Sequence, residues 1–140
     1  MGDSALVLEC LERLSGNEQA LQERFYALFF ARHPEVRELF GEHSLSEQEE
    51  MIRVTLASVV AHLHDEPWLD GNLEAMGRSH WEYGVEDPMY DVFLACMLDA
   101  LEHTCGEDWQ PAWRDSWRRA LGGLADVMRR AGQCAAAAAG

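Results

Sequence analysis

Three residues of this chain carry chemistry on helix faces that otherwise hold apolar side chains: His80, Gln48 and Tyr26. His80 completes the series Leu69, Leu73, Met76 and His80, spaced i, i+4, i+7 and i+11. At roughly 100° per helical residue, that spacing gathers all four side chains into one sector of about 60°. An imidazole on such a face is either a buried group bonded to a neighbouring hydroxyl or a metal ligand whose second nitrogen is held by a backbone carbonyl.

Gln48 falls within the stripe Leu45, Ile52, Thr55, Val59 and Leu63. An amide on a core-facing stripe costs about 1 to 3 kcal/mol unless it finds partners. Tyr26 lies among Phe25, Leu28, Phe29 and Phe30, and a buried phenol also needs a partner for its hydroxyl. Two arrangements answer both demands. In one, Tyr26 and Gln48 bond each other or the backbone, or Gln48 faces water; in the other, both address a shared ligand.

The elements that must position these groups are all helical, and strand alternation is absent. Asp3 or Ser4 is expected to cap a helix over about residues 3–15, with Leu6, Leu8, Leu11 and Leu14 inward. A second helix is expected over about residues 18–32, and Pro34 opens a short helical segment to Phe40 that Gly41 ends. Ser44 or Ser46 opens a long helix to about residue 64, and the helix carrying His80 spans about residues 68–81. Asp87-Pro88 starts a helix to about residue 104, and the last helix covers about residues 109–130. The alanine-rich end, residues 132–140, has no amphipathic pattern and is expected to be a frayed, flexible tail beyond a single domain of residues 1–131.

Composition narrows the function. A length of 140 residues suits one domain with a real core, and 48% hydrophobic against 26% charged residues excludes a disordered body. The 11 basic and 25 acidic residues give a net charge of -14, which repels nucleic acid and anionic membrane surfaces alike. No apolar run of membrane-spanning length occurs, and the start lacks the basic region of an export signal, so the expected location is the cytoplasm. Cys10, Cys96, Cys105 and Cys134 form no Cys-x-x-Cys zinc pair and no Cys-x-x-Cys-His haem attachment site, and are read as thiols. Any cofactor is therefore held noncovalently.

The stretches FYALFFARHPEVRELF at 25–40 and MGRSHWEYGV at 76–85, followed by Tyr90, AWRDSW at 112–117 and ADVM at 125–128, resemble the bacterial single-domain globins related to Vitreoscilla haemoglobin and the globin domains of flavohaemoglobins. Taken in order, the similarity covers nearly all of residues 5 to 131. It implies an all-α, three-on-three globin fold around haem b, with His80 as the proximal iron ligand. It also implies that Phe40 packs on the haem plane and that Tyr26 and Gln48 occupy the two distal positions facing a bound gas. Phe29 and Ile52 then shape the distal pocket, while Met76, Tyr83 and Val85 join the haem contacts. Arg78 either bonds a haem propionate or is a solvated surface arginine.

The implied chemistry is reversible binding of O2, and of CO or NO. O2 gains negative charge on binding, so hydrogen bonds from the phenol and the amide are worth roughly 1.5 to 3 kcal/mol. On the other side of the haem, the resemblance implies that Tyr90 helps hold His80 and that relatives add a glutamate near the chain end. Gapless comparison puts Gly132 at that place, which leaves the proximal triad incomplete and makes His80 a weaker donor.

The remaining histidines are read as ordinary. His33 belongs to a helix junction, His103 lies near a helix end, and His62 is about 20 Å along its helix from Gln48 at roughly 1.5 Å per residue. His64 faces another side, while His43 is the one expected to swing toward the site. Trp113 and Trp117 share a face with Leu121, Leu124 and Met128 and are expected to be core; Trp68, Trp81 and Trp109 are expected to be partly exposed.

Function then divides into classes that a fold does not decide. The leading expectation is O2 binding for transport or storage by a monomer or homodimer. The alternatives are an NO dioxygenase served by a separate reductase, since no flavin or nucleotide domain is visible, a gas sensor, and a haem-free interaction module.

Overall fold

A computed structural model describes residues 2–40 and 44–140, and every element in it is helical. Gly41 and His43, the expected helix stop and swinging histidine, lie outside the described residues. The order is α1 (Asp3–Leu14), α2 (Glu18–Arg32), a 3-10 segment (Pro34–Phe40), α3 (Ser44–Leu63), α4 (Leu69–Glu82), α5 (Asp87–Cys105), a 3-10 turn (Gly106–Asp108) and α6 (Pro111–Ala139). Prolines stand in the first turns of α5 and α6, where no intrahelical amide bond is lost.

Helix α6 packs against α1, α3, α4 and α5, and α2 crosses α5. Between them lies one apolar core whose fully enclosed members include Val7, Leu21, Phe25, Val59, Leu73, Met97, Leu101 and Trp117. Trp113 is buried with Trp117, Leu121 and Leu124, as expected.

Two local devices aim the functional helices. Helix α4 ends where Gly84 adopts φ +96°, its amide donating to Trp81 O while Val85 N–H donates to His80 O. This paired closure needs a left-handed residue, and it turns the chain directly into α5. At Gly77 a Cβ would stand 2.3 Å from the Met128 carbonyl oxygen, so α4 and α6 touch backbone to backbone one turn before His80.

Several expectations require correction. The inward face of α1 is Val7, Cys10 and Leu14, a clean i, i+3, i+7 series, whereas Leu8 is 37% exposed. Asp3 caps nothing; Gly2 occupies the cap, and the Asp3 carboxylate accepts from Ser116 and Arg119 of α6. Leu45 is 67% exposed in the first turn of α3, so the stripe there begins further along, with Ile52 and Val59 buried. The alanine-rich end continues α6 as helix to Ala139, because alanine has the highest helix propensity and needs no amphipathic face.

Candidate functional site

Helix α4 buries Leu69, Leu73 and Gly77 and leaves Met76 and His80 half-buried on the same side. His80 Nδ1 lies 2.7 Å from Met76 O. A carbonyl only accepts, so Nδ1 carries the hydrogen and Nε2 keeps its lone pair. Burial pushes the His80 pKa down, opposed by the Met76 carbonyl, and the neutral imidazole is favoured.

Tyr90, in the first turns of α5, stacks beside His80 with ring centroids 6.4 Å apart and planes 26° from parallel. The Arg129 guanidinium of α6 lies over the Tyr90 ring at 5.4 Å and pairs with Asp87 at 3.4 Å and Asp91 at 2.5 Å. Beside them a cavity of about 280 Å³ is lined by Gly77, Trp81, Tyr90 and Gly132 among others. A Cβ on Gly132 would meet Gly77 O at 3.5 Å and Trp81 Cβ at 3.6 Å, so residue 132 faces α4 but brings no carboxylate.

The second group forms where α2 meets the 3-10 segment and α3. Tyr26 is 5% exposed among aromatic rings: Phe25 at 4.9 Å, Phe30 at 5.4 Å and Phe40, edge-on, at 5.6 Å. Phe29 and Ile52 are buried, and Gln48 is half-buried. The Tyr26 hydroxyl donates to the backbone carbonyl of Gln48 at 2.9 Å, and burial pushes its pKa up, so the phenol stays a donor. An open cavity of about 580 Å³ is lined by Tyr26, Phe30, Pro34, Arg37 and Gln48 among others, a size usual for small-molecule sites of about 300–1,000 Å³.

The structure thus gathers Tyr26, Phe29, Phe40, Gln48 and Ile52 in one region and Met76, His80 and Tyr90 in another. Phe25 links them, meeting Tyr26 edge-on at 4.9 Å and lying 5.0 Å from Phe93, which sits one turn along α5 from Tyr90. His80 does not line the 580 Å³ cavity. Tyr83 is 70% exposed, Arg78 is exposed, and Val85 is half-buried at the α4–α5 turn. Sequence reasoning missed Phe93, Gly77 and Arg129. Of these, Arg129 had a signal: it precedes Gly132 by three residues, one helical turn.

Elsewhere His33 Nδ1 pairs with Glu35 at 3.4 Å, His64 Nδ1 bonds Val60 O at 3.0 Å, and His62 and His103 are exposed. Cys10 and Cys96 are buried, and Cys134 is exposed. Among the described residues no group of three or more His, Cys, Asp or Glu side chains is placed to hold a bare metal ion, and no helix is long and apolar enough to cross a membrane.

The family model described as Globin matches residues 23–128. Among curated relatives, the flavohemoprotein of Bordetella pertussis is 28% identical over 126 residues, covering 89% of this chain and 31% of the relative. That of Deinococcus radiodurans is 25% identical over the same shares. The chain therefore spans about a third of the length of these relatives. An uncharacterised globin-like protein of Aquifex aeolicus is 27% identical over 96 residues, 67% of this chain and 68% of the relative. Among solved structures, an engineered carbene transferase made from a candidate nitric oxide dioxygenase of Rhodothermus marinus superposes with TM-score 0.81 at 27% identity, covering 99% of this chain and 96% of that one. A bacterial globin from Campylobacter jejuni shares the fold, with TM-score 0.74 at 20% identity and 94% coverage of each chain.

Proposed function

Because the chain belongs to the globin family, we propose that it binds haem b through His80 and reversibly takes up O2, with Tyr26 and Gln48 as the polar groups facing the gas. The observation that carries this reading is the His80 imidazole: neutral, half-buried, its Nδ1 hydrogen spent on Met76 O and its Nε2 lone pair available. That is the donor a haem iron requires, with the carbonyl fixing the tautomer. The aromatic walls of Phe29 and Phe40 suit a flat apolar group, and a buried phenol stands among them.

When bound, haem supplies a ferrous centre that coordinates diatomic gases and can be oxidised. The protein contributes the rest. His80 donates its lone pair and is kept from turning by the Met76 carbonyl and the Tyr90 ring. Tyr26, whose hydroxyl donates to Gln48 O, would offer that donor to a polarised gas by turning its hydroxyl, and the Gln48 side chain would offer a second. The rings packed on Tyr26 bury its phenol, and so raise the worth of its hydrogen bond.

The similarity to flavohemoproteins and to the Rhodothermus protein favours a second reading, NO dioxygenation with electrons from a separate reductase. In either role a cytoplasmic monomer or homodimer is proposed. Absorption spectra of the ferric and dithionite-reduced protein, with and without O2 and CO, test the first step beside His80→Ala. A Soret band whose ferrous form takes up O2 and changes in the variant is the expected result. A colourless chain that haemin cannot reconstitute would refute it. Multiple-turnover NO consumption with a reductase separates the two roles.

A further inference from the structure

Arg129 holds a position that folding alone does not explain. Its guanidinium is partly enclosed, with 19% of the side chain exposed, and its Nε is buried without an acceptor among the described residues. Its partners Asp87 and Asp91 are 53% and 71% exposed, and ion pairs with such exposed groups contribute little to stability. What the arrangement does is local. Asp87, Tyr90 and Asp91 share one face of α5 at i, i+3 and i+4, so a cation paired with both carboxylates is held over the tyrosine ring between them. That ring is the one stacked beside His80.

We propose that Arg129 is a positioning residue for His80: it fixes the Tyr90 ring against the imidazole and offsets the negative charge of Asp87 and Asp91, thereby setting how strongly His80 donates to its iron. This rests on the haem reading above. The three side chains together carry one negative charge. Removing the arginine leaves two, and removing both carboxylates leaves one positive charge. A more negative surrounding strengthens imidazole donation and favours the oxidised metal; a more positive one does the reverse. The glycine at 132 brings no carboxylate to the cavity beside Tyr90, whose acidic lining comes instead from Glu86 and Asp87, and Arg129 is the cation that lies over that ring.

The test uses the haem-loaded full chain and two readouts that a merely structural role would not order by sign: the midpoint potential and the Fe–His stretching frequency of the ferrous, gas-free form by resonance Raman. Arg129→Gln lowers the potential and raises the stretching frequency. The double variant Asp87→Asn/Asp91→Asn shifts both in the opposite direction. Arg129→Lys restores the potential of the wild type while broadening the Raman band, because an ammonium keeps the charge but loses the planar fork. Unfolding midpoints of all variants stay near the wild type. Shifts of one sign in both charge variants, or no shift in either, overturn the proposal while leaving haem binding intact. A wild-type chain with no His80-dependent absorption overturns both readings together.

Discussion

Around Tyr26 the neighbours are rings, with Phe25, Phe30 and Phe40 within 5.6 Å and one hydrogen bond to a backbone carbonyl. Around His80 they are a backbone carbonyl, one ring and, behind it, three charges, with a 280 Å³ cavity alongside. The first region is stiff where close-packed aromatics admit few alternative rotamers, while an open cavity of about 580 Å³ reaches Tyr26 and Gln48 from one side. The second is adjustable, since ion pairs near a surface respond to charge and salt. In the proposed haem site, one stiff wall and one adjustable wall would let selectivity for a gas stay constant while electron donation from His80 varies.

The largest blow to this contrast is Phe25→Ala, since Phe25 touches Tyr26 on one side and Phe93 on the other. It is fully buried, and truncation is expected to cost about 3 to 5 kcal/mol in urea unfolding. A loss below about 1 kcal/mol would show that the two regions do not depend on a shared aromatic bridge.

Gly77→Ala comes next. Its Cβ would press on the Met128 backbone, so α4 and α6 must part, at a cost of about 3 kcal/mol. His80 rides on α4, and the variant should also alter the haem spectrum, whereas unchanged stability and spectrum would mean that the two helices slide freely.

Tyr26→Phe sharpens the contrast from the rigid side. Losing a donor worth roughly 1.5 to 3 kcal/mol should speed O2 dissociation about tenfold to a hundredfold in stopped-flow measurements, with CO, which is less polarised, affected less. Equal effects on both gases would place the selectivity elsewhere.

The smallest effect is expected far from either wall. Arg119 and Ser116, bonded to the Asp3 carboxylate, lower its pKa from 3.8 to about 2. A depressed carboxylate stabilises the fold above its unfolded pKa, and that contribution fades as pH falls from 3.8 toward 2. Asp3→Asn should flatten acid unfolding in that window and leave gas binding untouched. Persistence of the same acid sensitivity in the variant would assign it to other carboxylates.

Periodicity alone exposed His80, Tyr26 and Gln48, because a polar residue on an apolar face is visible without coordinates. The helix series was legible for the same reason, with prolines and glycines marking most ends. Face assignment failed where leucines ran ahead of burial: Leu8 and Leu45 are exposed although their spacing fits, since a first turn or an outer edge has nothing above it. Gly77 was opaque because a close approach depends on the partner backbone at Met128. Arg129 carried only a positional hint, one turn before Gly132, since its meaning comes from Tyr90, thirty-nine residues away.

Helix α6 reaches Asp3 through Arg119, Gly77 through Met128 and Tyr90 through Arg129, across as many as 116 residues of sequence. In kinetic terms, contacts this distant close late, after local helices have formed. Before α6 docks, α4 lacks its opposing backbone at Met128 and Tyr90 lacks Arg129, so the wall that carries His80 is the last part of the region to mature. Haem capture should therefore follow the docking of α6 rather than precede it, and its rate during refolding would count the arrival of that helix.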